Sequence, residues 1–139
     1  MDAERALQGA LITLLREAPG LQPLLGDPVR VFDATPEKPT YPYLALGRSQ
    51  VRALPEYGGG VDDGLEHSLT LTCVSRFDGT EEAKAITAAL RAVLHGASPA
   101  MEGWRVVNLT TTFADVFRAA DRRSVFGVLR VRVVTEAAE

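Results

Sequence analysis

Cysteine is all but missing from this sequence: Cys73 stands alone in 139 residues. A single thiol forms no intrachain disulfide, so the fold does not depend on an oxidising compartment. Histidine is nearly as scarce, with only His67 and His95. No Cys-x-x-Cys or His-x-x-x-His spacing surrounds them, which argues against a metal site. Strong charge of either sign is also lacking. The formal net charge of -3 gives no basis for a module that binds nucleic acid through overall basicity. No apolar run approaches the ~20 residues of a membrane span. Asp2 and Glu4 stand where a secretory signal would carry positive charge, and Arg16 and Glu17 close the apolar run early. The expectation is therefore a cytoplasmic product.

The remainder is ordinary for a globular protein: 46% hydrophobic and 24% charged residues, enough for one real core and too few residues for two full domains. With no internal repeat and no long linker, residues 1–139 read as one domain.

Asp2 is a good N-cap for a first helix. Ala6, Leu7, Ala10, Leu11, Leu14, Leu15 and Ala18 then form one stripe at three- and four-residue steps. Pro19-Gly20 ends that helix, and "LQPLLGDP" reads as a turn. Strands are expected at 29–32, 43–54 and 65–76, with a stiff Pro-rich connector at 33–42 and a flexible Gly/Asp loop at 55–64. Thr80 should cap a second helix, with Glu81 and Glu82 favouring its N-terminal dipole. Ala83, Ile86, Leu90, Val93 and Leu94 supply its buried face, and Gly96 its stop. Two more strands, about 104–113 and 124–134, complete the chain, joined by "ADVFRAADRRS". The fold class is α+β: a mainly antiparallel, four- to five-stranded sheet with two helices packed on one face.

The candidate chemistry is thin. Leu65, His67, Leu69, Leu71 and Cys73 share one strand face. Cys73 there reads as a small core hydrophobe. His67 lies six residues away, roughly 20 Å along an extended strand, too far to act as its base. Partial exposure is expected of His67, beside the flexible loop, and a capping role of His95, in the last turn of its helix. "YGGGVDDG" lacks the Gly-Lys-Ser/Thr of a phosphate loop, and Asp62 and Asp63 would repel phosphate. Asp115, Arg118, Asp121, Arg122 and Arg123 crowd one connection. They read as a solvated loop with compensating charges, or as an interface loop facing a neighbouring subunit. No catalytic set, cofactor fingerprint or metal constellation emerges.

Taken in order, "ALQGALITLLRE", "RVFDATP" with "PYLALG", "VSRFDGTEEAKAI" and "WRVVNLTTTFADVFRAADRRSVFGVLRVRVVTE" resemble a family of small phage and prophage tail-completion proteins that includes the tail terminators of gene transfer agents. The resemblance covers nearly the whole chain. It implies a non-enzymatic structural subunit of a phage-like particle. Such subunits form a ring, hexameric in long-tailed phages, that caps the tail tube, stops its polymerisation and meets the head-side connector. Such a ring leaves DNA free to pass through it, but no specific nucleic-acid contact is implied. Six-fold closure needs head-to-tail contacts. The polar, long segments 48–64 and 114–124 are the expected contact regions, through Arg48, Arg52, Glu56, Tyr57, Asp62, Asp63, Asp115, Arg118, Asp121, Arg122 and Arg123. The competing readings are a stopper or other neck protein, and a small α+β ligand-binding module or enzyme.

Overall fold

Asp2 begins the first helix as the sequence leads one to expect: its carboxylate accepts the Arg5 amide N–H at 2.8 Å, filling one of the open donors of the first turn. Helix α1 runs Ala3–Arg16. The structure, a computed structural model, describes residues 1–58 and 63–138. After α1 comes a single helical turn, α2, Gln22–Leu25, where the sequence suggests only a turn. Pro23 in its first turn needs no N–H partner, which favours that short helix.

Strand β1 is Val31–Phe32, β2 Tyr43–Ala53, β3 Leu65–Ser75, β4 Trp104–Arg118 and β5 Val125–Ala137, with helix α3, Glu81–Leu94, between β3 and β4. A 3-10 turn at Pro55–Tyr57 follows β2. The sheet order is β1-β2-β3-β5-β4. Every pairing is antiparallel except β1 with β2, which is parallel. The sheet is therefore mixed, not wholly antiparallel, because the 33–42 connector returns the chain to the same end before β2 begins.

One face of the sheet carries the core. Leu44, Leu71, Cys73, Val125, Leu129, Val131 and Val133 are buried together with Leu7, Leu11 and Leu15 of α1 and Ala83, Ile86, Leu90 and Leu94 of α3. Both long helices thus cover the same face. Gly127 sets how closely α3 approaches: a methyl group there would stand 2.8 Å from Thr87 Cγ2 and 3.4 Å from the Ala83 carbonyl oxygen. At the far end of α3 the chain turns through Gly96 at φ +74°, a left-handed position that suits glycine.

Two helix-end expectations need correction. Thr80 sits at the N-cap with helical dihedrals, and its side chain makes no cap bond. Glu82 of the first turn instead accepts the Ser75 hydroxyl at 2.7 Å, tying the helix start to β3. His95 is the C-cap residue, but through its backbone N–H, which donates to the Arg91 carbonyl oxygen at 2.9 Å.

Candidate functional site

The buried side of β3 decides whether chemistry is possible. Cys73 is fully buried against Gly127, and burial pushes its thiol up to about 12, so it is no thiolate nucleophile at neutral pH. His67, expected to be partly exposed, is fully buried. Helix α1 lies over this stretch of the sheet, and Glu4, Leu7 and Leu11 share with His67 the wall of a cavity of about 260 Å³. The imidazole Nε2 meets Thr135 Oγ1 at 2.9 Å, while Nδ1 has no partner. Burial lowers the His67 pKa and a weaker pull from Glu4 opposes the shift, so the ring is neutral at pH 7. It is a core histidine held by one hydrogen bond. Among the described residues no three His, Cys, Asp or Glu side chains gather as a metal site, and no helix is long and apolar enough to cross a membrane.

The uncovered face of the sheet is polar and highly connected. Glu66 on β3 accepts from Arg52 of β2 at 2.7 Å and from Arg132 of β5 at 2.6 Å. These hydrogen bonds, the Arg52 one foremost, hold its carboxyl below the usual range. Arg130 lies over the Phe113 ring, 5.0 Å from its centroid. Phe117 meets Phe126 edge-on at 5.7 Å. Arg76 stacks on Tyr41, which packs in turn against Tyr43. This row of arginines and rings was hidden from sequence reasoning except as the basic half of the β5 alternation.

The structure redistributes the expected contact residues. Arg48 and Arg52 are on β2, whose residues 47–53 are all exposed. Glu56 and Tyr57 form the 3-10 turn beyond it. The Tyr57 ring lies over Gly64, leaving no room there for a Cβ. Asp63 is exposed at the foot of β3. Asp62 lies outside the described residues.

The 114–124 segment is not one long loop. Ala114–Arg118 continue β4, so Asp115 and Arg118 are strand residues, and only 119–124 make the turn. The reason is pairing: β5 supplies backbone partners for Ala114 through Arg118, and Val116 and Phe117 favour strand despite the Ala and Asp before them. Arg118 donates to the Asp78 carbonyl oxygen at 3.1 Å. Asp121 accepts the N–H groups of Arg123 and Ser124, and these bonds lower its pKa. Arg122 takes a left-handed φ of +61° in that turn. Asp121 thus organises the turn locally, while Arg122 and Arg123 are exposed.

The arrangement amounts to a covered core and a sheet whose open face and edges are unclaimed. β4 is a 15-residue edge strand. At the opposite side β1 pairs only with Leu44 and Ala45, leaving the rest of β2 as an edge. Natural edges are usually short or blunted, because unpaired N–H and C=O groups attract other strands. These two edges are long. They are surfaces suited to assembly.

Comparison with known proteins agrees. No curated protein sequence matches the chain. Among solved structures it is similar to a chain of the "Virion of native gene transfer agent (GTA) particle", with a TM-score of 0.84 and 27% identity, covering 96% of this chain and 97% of that one. The family described as "Tail completion protein gp17" matches residues 9–136. The chain belongs to the tail completion protein gp17 family, and its role is structural, not enzymatic.

Proposed function

We propose that this protein is a tail terminator: a subunit of a ring, hexameric, that caps the tail tube of a phage-like particle. The ring stops tube growth and offers its other side to the head-proximal connector. The observation that carries this reading is the near-complete match, in fold and length, to a chain of a gene transfer agent virion. Family membership over residues 9–136 supports it, as does a sheet with free edges on opposite sides, which suits the head-to-tail contacts of a closed ring. The subunit is made in the cytoplasm and incorporated into the particle. Its partners are its own copies, the tail-tube protein and the connector or stopper. DNA passes through the ring without sequence-specific contact.

The contacts to neighbour and tube are assigned to the exposed residues of β2 and the following turn (Arg48, Arg52, Glu56, Tyr57, Asp63) and to Asp115, Arg118, Asp121, Arg122 and Arg123. Arg118→Glu is expected to weaken capping while leaving the subunit folded, since its described partner is one exposed carbonyl.

Native mass spectrometry over a concentration series tests the ring directly. A closed species at six times the 15.0 kDa subunit is the expected result, either alone or after addition of tail tubes, where electron microscopy should show capped ends. Protein that remains monomeric in both conditions refutes the ring.

A further inference from the structure

We infer that the subunits join edge to edge, with the upper half of β4 of one copy pairing antiparallel with the lower half of β2 of the next. This deepens the ring reading and rests on it. The partner is a second copy of the same chain.

The first observation is one of matching exposure. Residues 47–53 of β2 are exposed throughout, and in residues 112–118 of β4 only Val116 is part-buried. These stretches lie on opposite edges of one sheet, and among the described residues neither has a neighbouring strand on its outer side. With Val116 set opposite Val51, residues 49–53 face residues 114–118, five from each edge, which is the length of an ordinary strand.

The second is direction. β3 and β4 run one way, and β1, β2 and β5 the other. Rotation about an axis along the strands keeps that sense from copy to copy. β4 therefore meets the next β2 antiparallel, and the sheet continues across the boundary without reversal.

The third is side-chain chemistry. Val51 pairs with His67, and Ala53 with Leu65, so both point to the helix side of the sheet. Val116 pairs with Gly127, and Ala114 with Leu129, so they point to the same side. Arg52 pairs with Glu66 and Asp115 with Val128, on the open side. Setting Val116 opposite Val51 places Ala114 opposite Ala53, and Asp115 opposite Arg52. A β-branched pair, a small neutral pair that fits without clash and an opposite-charge pair result, the last of the kind that stabilises a ladder. Asp115 makes no ion pair among the described residues. Arg52 uses its Nε on Glu66, and a guanidinium has four further N–H donors.

The fourth is closure. Within one subunit Val51 lies in the row of His67, Val133 and Leu109. Val116 lies six rows higher, the separation of Val133 and Gly127 on β5. An offset of six residues is about 20 Å, against about 19 Å for the four repeating strands β2, β3, β5 and β4. The strands then tilt by about 45°, at the upper end of what closed sheets adopt. Pairing without offset would bring the next copy's β1 and its 33–42 connector against the upper half of β4. The offset sets β1 beyond the end of β4 instead.

Cysteine cross-linking tests the contact. Cys73 is buried and its thiol is held protonated, so it is left in place. Val51→Cys and Val116→Cys are made singly, and rings are assembled from an equal mixture, oxidised, and separated on denaturing gels. The expected product is a covalent dimer from the mixture and none from either variant alone; the double variant should give a ladder of higher species. Rings that persist in native mass spectrometry without these cross-links overturn the edge contact and leave the ring standing. Dimers from Val116→Cys alone indicate two-fold β4–β4 pairing and likewise overturn it. Absence of any assembled species, with or without tail tubes, defeats the ring reading itself. Should either valine variant fail to fold, Ala53→Cys with Ala114→Cys, both exposed, tests the same register.

Discussion

Replacing Gly127 by alanine probes the closest approach of helix to sheet. The added methyl would stand 2.8 Å from Thr87 Cγ2, 3.4 Å from the Ala83 carbonyl oxygen and 3.6 Å from Cys73 Sγ. The last contact is ordinary; the first cannot persist. Thr87 is β-branched, stiff at χ1 and buried, with its hydroxyl on the Lys84 carbonyl oxygen. α3 or β5 must therefore move. Overpacking of this kind costs about 1–3 kcal/mol, and the smaller unfolded-state entropy of alanine returns about 0.4–1 kcal/mol. The expected net loss is about 1–2 kcal/mol, or roughly 3–7 °C in Tm at this chain length. Thr87→Ser removes the offending methyl and by itself costs about 1 kcal/mol for the lost buried carbon. In the double variant serine leaves space for the new methyl, so the two effects should fall short of their sum by about 1 kcal/mol or more. Urea denaturation of the four proteins measures all the terms. Additive losses, or a neutral Gly127→Ala, would show that α3 is not held at this distance by the missing Cβ.

Three other outcomes follow from groups already described. His67 has a folded-state pKa below its ordinary 6.5, so the unfolded chain binds its proton first. Its contribution is intact above about pH 6.5 and is lost as the pH falls through the folded value; His67→Gln should flatten the stability profile between pH 7 and 5, and an unchanged slope would assign it to other groups. Glu66→Gln weakens the bonds to Arg52 and Arg132. With solvent screening the loss is about 1 kcal/mol or less, and because the carboxyl is held below 4.5 the difference from the parent should vanish only as the pH drops below that value. Cys73, pushed to about 12 by burial, should resist iodoacetamide at pH 8 in the native protein and react fully in urea; rapid native labelling would mean that α3 opens from the sheet.

Much of the fold was legible because periodic burial leaves a periodic sequence. α1 and α3 show stripes at helical spacing, and β3 and β5 alternate, since each has one face in the core and one out of it. The same logic read Cys73 correctly. It failed at His67, where polarity and a nearby loop suggested exposure: what buries this ring is α1, sixty residues earlier in the chain. It failed again at Ala114–Arg118. At the sheet's edge only Val116 of this stretch is part-buried and its neighbours are exposed on both faces, so the alternation by which strands are recognised is lost and the segment reads as a charged loop.

The sequence by itself determined the class of fold, the two long helices, the core faces of β3 and β5, and the absence of any catalytic pattern, because these depend on local spacing and residue type. Only the tertiary structure decided the strand order, the parallel β1–β2 pair, the burial of His67 and the length of β4. It also decided which surfaces stay unclaimed: residues 47–53 and 112–118. Their exposure is set by what packs elsewhere, by a two-residue β1 that stops short along β2 and by the lack, among the described residues, of any strand beyond β4. A pattern in one segment carries no trace of a neighbour that is missing in space.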